Sequence, residues 1–449
     1  MRHATHIATA IIVLTIATCT GVAFCGDPCE PHWSGALGTP GFTGGYVGWI
    51  AEHDDGHGSG VQLYATGSFT TAGGNPNTAR IARWNGANWE SVGGGLQAQF
   101  SNVLGSFGGK LYVGGYFDSA GNVAGTAKIA RWNGATWESI NAQLSSFLSA
   151  VWALAVYDDG GGPALYIGGN YLNIGGAGID HIAKFDGTNF FPVGGTIVGP
   201  NQIILDLKVY NGELYACGRF QSIAGLATNN IARWDGTQWH EVGAGGVTGT
   251  QVICMEVVDG ELYVGGSFTA AGGVPATRIA RWDGTTWHAL GAGLNSTVQD
   301  IVGYDEGNGP AVYVVGNFTA TADGATTLGK IARWDGASWS PVGTGVGADG
   351  NVFESYVWDN GSGPQLLVGG SINSVNGVVS HGIAAWVGCP TESGSPDLDG
   401  DGAVDASDLG ILLGSWGACP TPPAACVADL DGNGAVDAAD LAILLGAWG

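Results

Sequence analysis

Basic residues are scarce in this chain. Its 449 residues include 14 Lys and Arg against 38 Asp and Glu, a formal net charge of −24, and no Lys or Arg follows Arg333. That balance excludes nucleic acid as a partner, because nucleic acid is held by basic patches. It excludes an anionic membrane surface for the same reason. Long apolar runs are missing too, apart from one at the start. Arg2 and His3 precede an apolar stretch from Ile7 to about Phe24, too short and too poorly flanked to span a bilayer. Residues 1–25 therefore read as an export signal, with cleavage after Ala23 or after Cys25, and no membrane insertion is expected. Thr18 before Cys19 argues against a lipoprotein site. Also missing are paired catalytic carboxylates at an interpretable spacing and any nucleophile motif. Losing Cys19 and Cys25 with the signal leaves six of eight cysteines, an even set suited to an oxidising, extracellular setting.

What is present in excess is Gly, at 82 residues, and Trp, at 17, which suits short strands, tight turns and aromatic layers between sheets. The organising stretch is Ile279-Ala280-Arg281-Trp282-Asp283-Gly284-Thr285-Thr286-Trp287. It recurs with the same spacing from Ile81, Ile129, Ile182, Ile231 and Ile331, and begins again at Ile383 before breaking off. The period is 48 to 53 residues, the length of a four-stranded blade. Each repeat reads as four strands: one ending at Val257-Val258, then Leu262–Phe268, Ile279–Trp282 and Trp287–Leu290. Asn-Gly or Asp-Gly pairs mark the turns, notably Asn85-Gly86, Asn133-Gly134, Asp186-Gly187, Asp235-Gly236, Asp283-Gly284 and Asp335-Gly336. A two-residue mirror-image turn, with positive φ at both positions, is the expectation at each.

The double Gly after Leu-Tyr, followed by the aromatic-turn-Trp pattern, resembles kelch repeats over roughly residues 30–390. The resemblance implies a β-propeller of the galactose-oxidase-like architecture. The fold class expected is mainly β, a seven-bladed β-propeller over residues 29–389 closed by an N-terminal strand, plus a small α-helical tandem calcium-loop module. Closure follows from two fragments. The seventh repeat stops after Trp386, and Trp33 stands near the start as a fourth-strand Trp without its preceding three strands. Pairing them removes open sheet edges and brings Cys29 beside Cys389, an expected disulfide. No copper-site residues of the galactose-oxidase type can be matched.

Residues 390–396 read as a linker. Two similar units follow, 32 residues apart. Asp397, Asp399, Asp401, the carbonyl of Ala403, Asp405 and Asp408 stand at alternate places around Gly402. Asp429, Asp431, Asn433, the carbonyl of Ala435, Asp437 and Asp440 stand likewise around Gly434. Oxygen donors at that spacing, with Gly at the sharp turn, form an EF-hand-type loop, so two Ca2+ sites are expected. Asp replaces the usual terminal Glu. Each loop runs into an apolar helix-like stretch, Leu409–Trp416 and Leu441–Trp448. The tandem loop-helix pair over 397–449 resembles a dockerin, the calcium-folded module that docks onto cohesins. That resemblance implies a cohesin-like or cell-surface protein as partner. The helices lack its usual basic residues, and Ala406-Ser407 and Ala438-Ala439 fill its recognition places. Cys419 and Cys426, flanking Thr421-Pro422-Pro423, are expected to be bonded.

Cations recur at Arg83, Arg131, Lys184, Arg233, Arg281 and Arg333, and again just before the Ile at Arg80, Lys128, Arg278 and Lys330. They read either as a structural stack paired with turn carboxylates or as a ring facing an acidic glycan. His240 and His288 read as surface residues. Cys217 and Cys254 read as a structural disulfide or as two buried thiols. The function expected is a secreted binding or scaffold protein with a glycan ligand and a calcium-dependent tail. The alternative is an extracellular polysaccharide-active enzyme.

Overall fold

The computed structural model describes residues 31–56, 58, 60–144, 149–306, 309–344, 347–360, 363–388, 398, 404–418, 428, 430, 435–446 and 448. Among them, seven antiparallel sheets share one four-strand order, first to fourth. We number the sheets one to seven by their first strands, Val47–Asp54, Leu96–Phe107, Val151–Asp158, Ile203–Tyr210, Val247–Val258, Val298–Asp305 and Val352–Asp359. Sheet five continues through Glu261–Ala271, Ile279–Trp282 and Trp287–Ala289. Each first strand touches the first strand of the next sheet, and that of sheet seven touches that of sheet one. In sheet seven the fourth strand is His32–Ser34, with Trp33 opposite Trp386.

Aromatic pairs explain why the same nine-residue stretch recurs. Trp282 and Trp287 face each other across the third and fourth strands with ring centroids 5.2 Å apart. Trp334–Trp339 and Trp33–Trp386 repeat the pair, and Phe185–Phe190 replaces it in sheet three. Such a pair adds about 0.5–1.5 kcal/mol beyond its burial. The indole N–H then ties sheets together. Trp287 Nε1 donates to the carbonyl of Val242, just past the fourth strand of the preceding sheet, at 2.9 Å. Trp89, Trp137, Trp239 and Trp339 do the same to Leu37, Val92, Val193 and Leu290. Sheet seven departs from this: Trp33 Nε1 is buried without an acceptor, and Asn376 donates to Val342 O instead.

The double Gly lets sheets approach. A Cβ on Gly265 would lie 2.5 Å from Cγ1 of Val298 in the next sheet. The turns correct one expectation. Asn211-Gly212 and Asp259-Gly260 are two-residue turns with positive φ at both positions. The loop after Trp282 instead has four residues, and of Asp283 and Gly284 only Gly284 has positive φ. Asp283 Oδ1 accepts from the N–H groups of Thr285 and Thr286 at 2.8 and 2.7 Å. The carboxylate closes the turn, so the left-handed first position is not needed. Asn85, Asn133, Asp186, Asp235 and Asp335 close their loops the same way.

Near the C-terminus, α1 (Ala406–Gly414) and α2 (Ala438–Gly446) pack through Leu412 and Leu444, fully buried with Ala428, Leu430 and Val436. No described helix is long and apolar enough to cross a membrane.

Candidate functional site

The first strands line the interior, and each is bulged at the same register. The residue just past the bulge is Trp49, Val103, Ala153, Asp206, Cys254, Asp300 or Glu354, sheet by sheet. Three are acids, and each reaches the same backbone position one sheet on. Asp206 Oδ2 accepts from Met255 N at 2.7 Å, and Asp300 Oδ2 accepts from Ser355 N at 2.8 Å. Glu354 Oε1 accepts from Ile50 N at 3.4 Å. An inner strand is a sheet edge whose N–H groups need partners, and these carboxylates supply them. Burial lifts Asp206 to about 6 and Asp300 to about 7, and pushes Glu354 well above the ordinary range. Burial opposes the charge on Lys208, yet Glu256, 2.7 Å away, and Asp206 raise its pKa overall. Nothing in the repeat motif marked these acids. A carboxylate within a first strand was no signal by itself, since Glu52 and Glu256 stand in first strands as well.

Three cavities that share lining residues lie along these strands. An open cleft of about 930 Å³ lies over sheets three to six, with Trp152, Gln202, Arg219, Gln251 and Gln299 in its wall. Trp152 and Gln299 also border a deeper cavity of about 310 Å³, where Tyr46 and Phe353 join Asp206, Asp300 and Glu354. The same three acids border a third space of about 400 Å³ with Lys208 and Glu256. Aromatic contacts continue around the mouth: Phe100 lies 6.0 Å from Trp152 and 5.6 Å from Tyr116, and Tyr46 lies 4.9 Å from Phe353. Among the described residues, no group of three His, Cys, Asp or Glu could hold a metal.

The two cation rows differ. Every member of the third-strand row has a carboxylate: Arg83 with Asp55 and Glu90, Arg131 with Glu138, and Lys184 with Asp159. Arg233 pairs with Glu213, Arg281 with Glu261, and Arg333 with Glu306. Hydrogen bonds from Asn133, then Lys110 and Arg131, lower Glu138 to about 2 against the opposing effect of burial. This row is a structural stack. The four cations before the Ile all adopt left-handed φ, from 64° at Arg80 to 75° at Lys330. Lys128 sits 4.0 Å over the Tyr116 ring and 3.5 Å from Asp118, and Lys330 donates to Gly350 O at 2.6 Å. His240 and His288 bond the turn residues Asp235 and Asp283 at 2.6 and 2.7 Å. Cys217 and Cys254 are two buried free thiols, so the disulfide alternative for them falls.

Of the expected calcium ligands, Asp397, Asp399, Asp401, Ala403, Asp429, Asp431 and Asn433 lie outside the described residues. So do Cys29, Cys389, Cys419 and Cys426, the export signal and the linker. The remainder of each loop is closed identically. Asp408 accepts from Leu398 N at 2.6 Å and Asp405 N at 2.8 Å, and Asp440 accepts from Leu430 N at 2.5 Å and Asp437 N at 2.7 Å. Asp405 and Asp437 accept from the N–H groups at the starts of α1 and α2. Ala435 lies in a short strand opposite Ala418. Asp408 and Asp440 are fully buried in a segment that contains no Lys or Arg.

Comparison with known proteins gives one family match. A domain of unknown function described as a β-propeller, DUF5122, matches residues 259–282. No curated protein sequence matches the chain. Among solved structures, the computationally designed Ika8 protein is 12% identical with a TM-score of 0.41, covering 77% of this chain and 97% of that one. BBS1N in complex with ARL6DN is 10% identical with a TM-score of 0.43, covering 80% and 98%. The GH74 enzyme of Niastella koreensis is 12% identical with a TM-score of 0.22, covering 73% and 66%. The DUF5122 match falls on the turn and the second and third strands of sheet five, and the chain is a mainly β protein of propeller type.

Proposed function

We propose that the chain is a secreted binding or scaffold protein. Residues 29–389 form a kelch-like, seven-bladed propeller that presents a ligand mouth. Residues 397–449 form a dockerin-like module that binds two Ca2+ ions and attaches the propeller to an extracellular assembly or surface. Residues 390–396 link the two. The observation that carries the binding reading is the mouth itself. Its wall is rich in amides and carries Trp152, while the nearby acids Asp206 and Asp300 are engaged with backbone N–H groups of neighbouring sheets. The tail reading is supported by the matched closure of the two loops and by a matched pair of exposed apolar residues on each unit. Leu413 and Trp416 stand on the first, Leu445 and Trp448 on the second. When bound, calcium would supply the charge that lets each loop's carboxylates converge.

Calorimetry of the full chain with excess calcium and with chelator tests the tail. Two calcium ions per chain should bind, and chelation should abolish a low-temperature transition while leaving the main one unmoved. A chain that binds no calcium would overturn the tail reading. One observation favours the enzymatic alternative: Asp206 and Asp300, both with raised pKa, border one cavity with Glu354. Carboxyls poised near neutrality suit proton transfer. Release of reducing ends from a polysaccharide, lost in Asp300→Asn, would establish that alternative.

A further inference from the structure

We propose that the cleft over sheets three to six takes a neutral oligosaccharide chain, an inference that rests on the binding reading above. The volume comes first. About 930 Å³ is near the upper end of ligand pockets, roughly 300–1,000 Å³, and suits an oligomer better than a single sugar. The polar wall comes second. Gln202 and Gln299 spend neither end of their amides on the described protein, so each offers a donor and an acceptor side by side. A pair of neighbouring sugar hydroxyls has the same mixed character. Gln251 is held in one orientation, since Arg219 donates to its Oε1 and leaves its NH2 to donate outward. Trp152 adds a partly exposed indole, the kind of flat apolar surface that the C–H face of a pyranose covers.

Charge decides against an acidic chain. Arg219 and Asp180 are the one permanent cation and the one carboxylate in the wall, and they leave no net attraction for a run of uronates. An extended peptide would add to a sheet edge through backbone hydrogen bonds. On the inner edge of sheet five, one of the sheets under the cleft, Met255 N is already taken by Asp206. A neutral ligand read through amides should also bind independently of salt, because no counterions are released.

The test is calorimetric titration of the full chain, in calcium, with cellohexaose, xylohexaose, mannohexaose, hexagalacturonate and a neutral hexapeptide. At least one neutral hexasaccharide should bind, with little change between low and high salt. Trp152→Ala and Gln299→Ala should each weaken it by about tenfold or more, with an unchanged melting temperature showing that the fold is kept. Preference for hexagalacturonate, lost at high salt and in Arg219→Gln, overturns the neutral-ligand inference but leaves the binding reading standing, as does preference for the peptide. Binding of a neutral hexasaccharide unaffected by both variants removes the cleft as its site. No binding of any neutral hexasaccharide overturns the inference. Turnover of any oligosaccharide overturns the binding reading instead.

Discussion

At the residue scale, the acids behind the bulges give the protein a definite response to pH. An unfolded chain releases the Asp300 proton in the ordinary carboxylate range, whereas the folded protein keeps it up to about 7. Between those limits the folded state binds more protons, so stability falls as pH rises through the window. Asp206 adds to this over a narrower span, up to about 6. Asp300→Asn keeps an oxygen to accept from Ser355 N and removes the buried charge. It should raise the melting temperature by a few degrees at pH 8 and change little at pH 4, as differential scanning calorimetry would read. A loss at pH 8 would mean that ionised Asp300 is needed. None of this was legible in the repeat motif, because the inward direction of these side chains depends on a bulge that has no residue signature. The indoles give a second contrast. Trp287→Phe breaks a bond to Val242 O and should cost about 1 kcal/mol beyond the lost contacts. Trp33→Phe loses no such bond and should cost less by that difference in urea unfolding.

At the element scale, the sheets were legible, as were the short turns at Asn211-Gly212 and Asp259-Gly260, while the turns between third and fourth strands were not. In sheet five the spacing Ile-Ala-Arg-Trp-x-Gly-x-x-Trp defined third and fourth strands within a residue of their observed ends, because both Trp residues must face each other across one ladder. The same pattern misread the turn, since an Asp or Asn before Gly can close a loop with its carboxylate or amide as well as with its backbone. The double Gly was legible only as part of the repeat motif, and the structure shows its physical role, a close approach between sheets. Gly265→Ala would drive a methyl group into Val298 of the next sheet. Overpacking of this sort costs about 1–3 kcal/mol. Urea unfolding should show that loss, and Gly265→Ala with Val298→Ala should recover part of it. An unchanged midpoint for the single variant would mean that the sheets can slide apart freely.

At the scale of the whole molecule, the pairing of His32–Ser34 with Ile383–Val387 was readable from two incomplete repeats, because a missing Trp and an orphan Trp are conspicuous in a regular array. The mouth was not readable, since its wall is assembled from strand ends and loops of several repeats at positions that the motif leaves free to vary. The long-range pairing also sets an order of events. The segment that finishes the structure is made first and must wait for a partner on the order of 350 residues downstream. Closing so long a loop costs roughly 5 kcal/mol in chain entropy before any contact is gained, and such non-local contacts form late. Until then sheet seven has a vacant position and the early segment is a loose strand, so two molecules can each lend that strand to the other. Refolding at rising protein concentration should therefore give an increasing fraction of exchanged dimer by size-exclusion chromatography. A variant lacking residues 31–38 should give none, while leaving the vacant edge open to a synthetic peptide of that sequence.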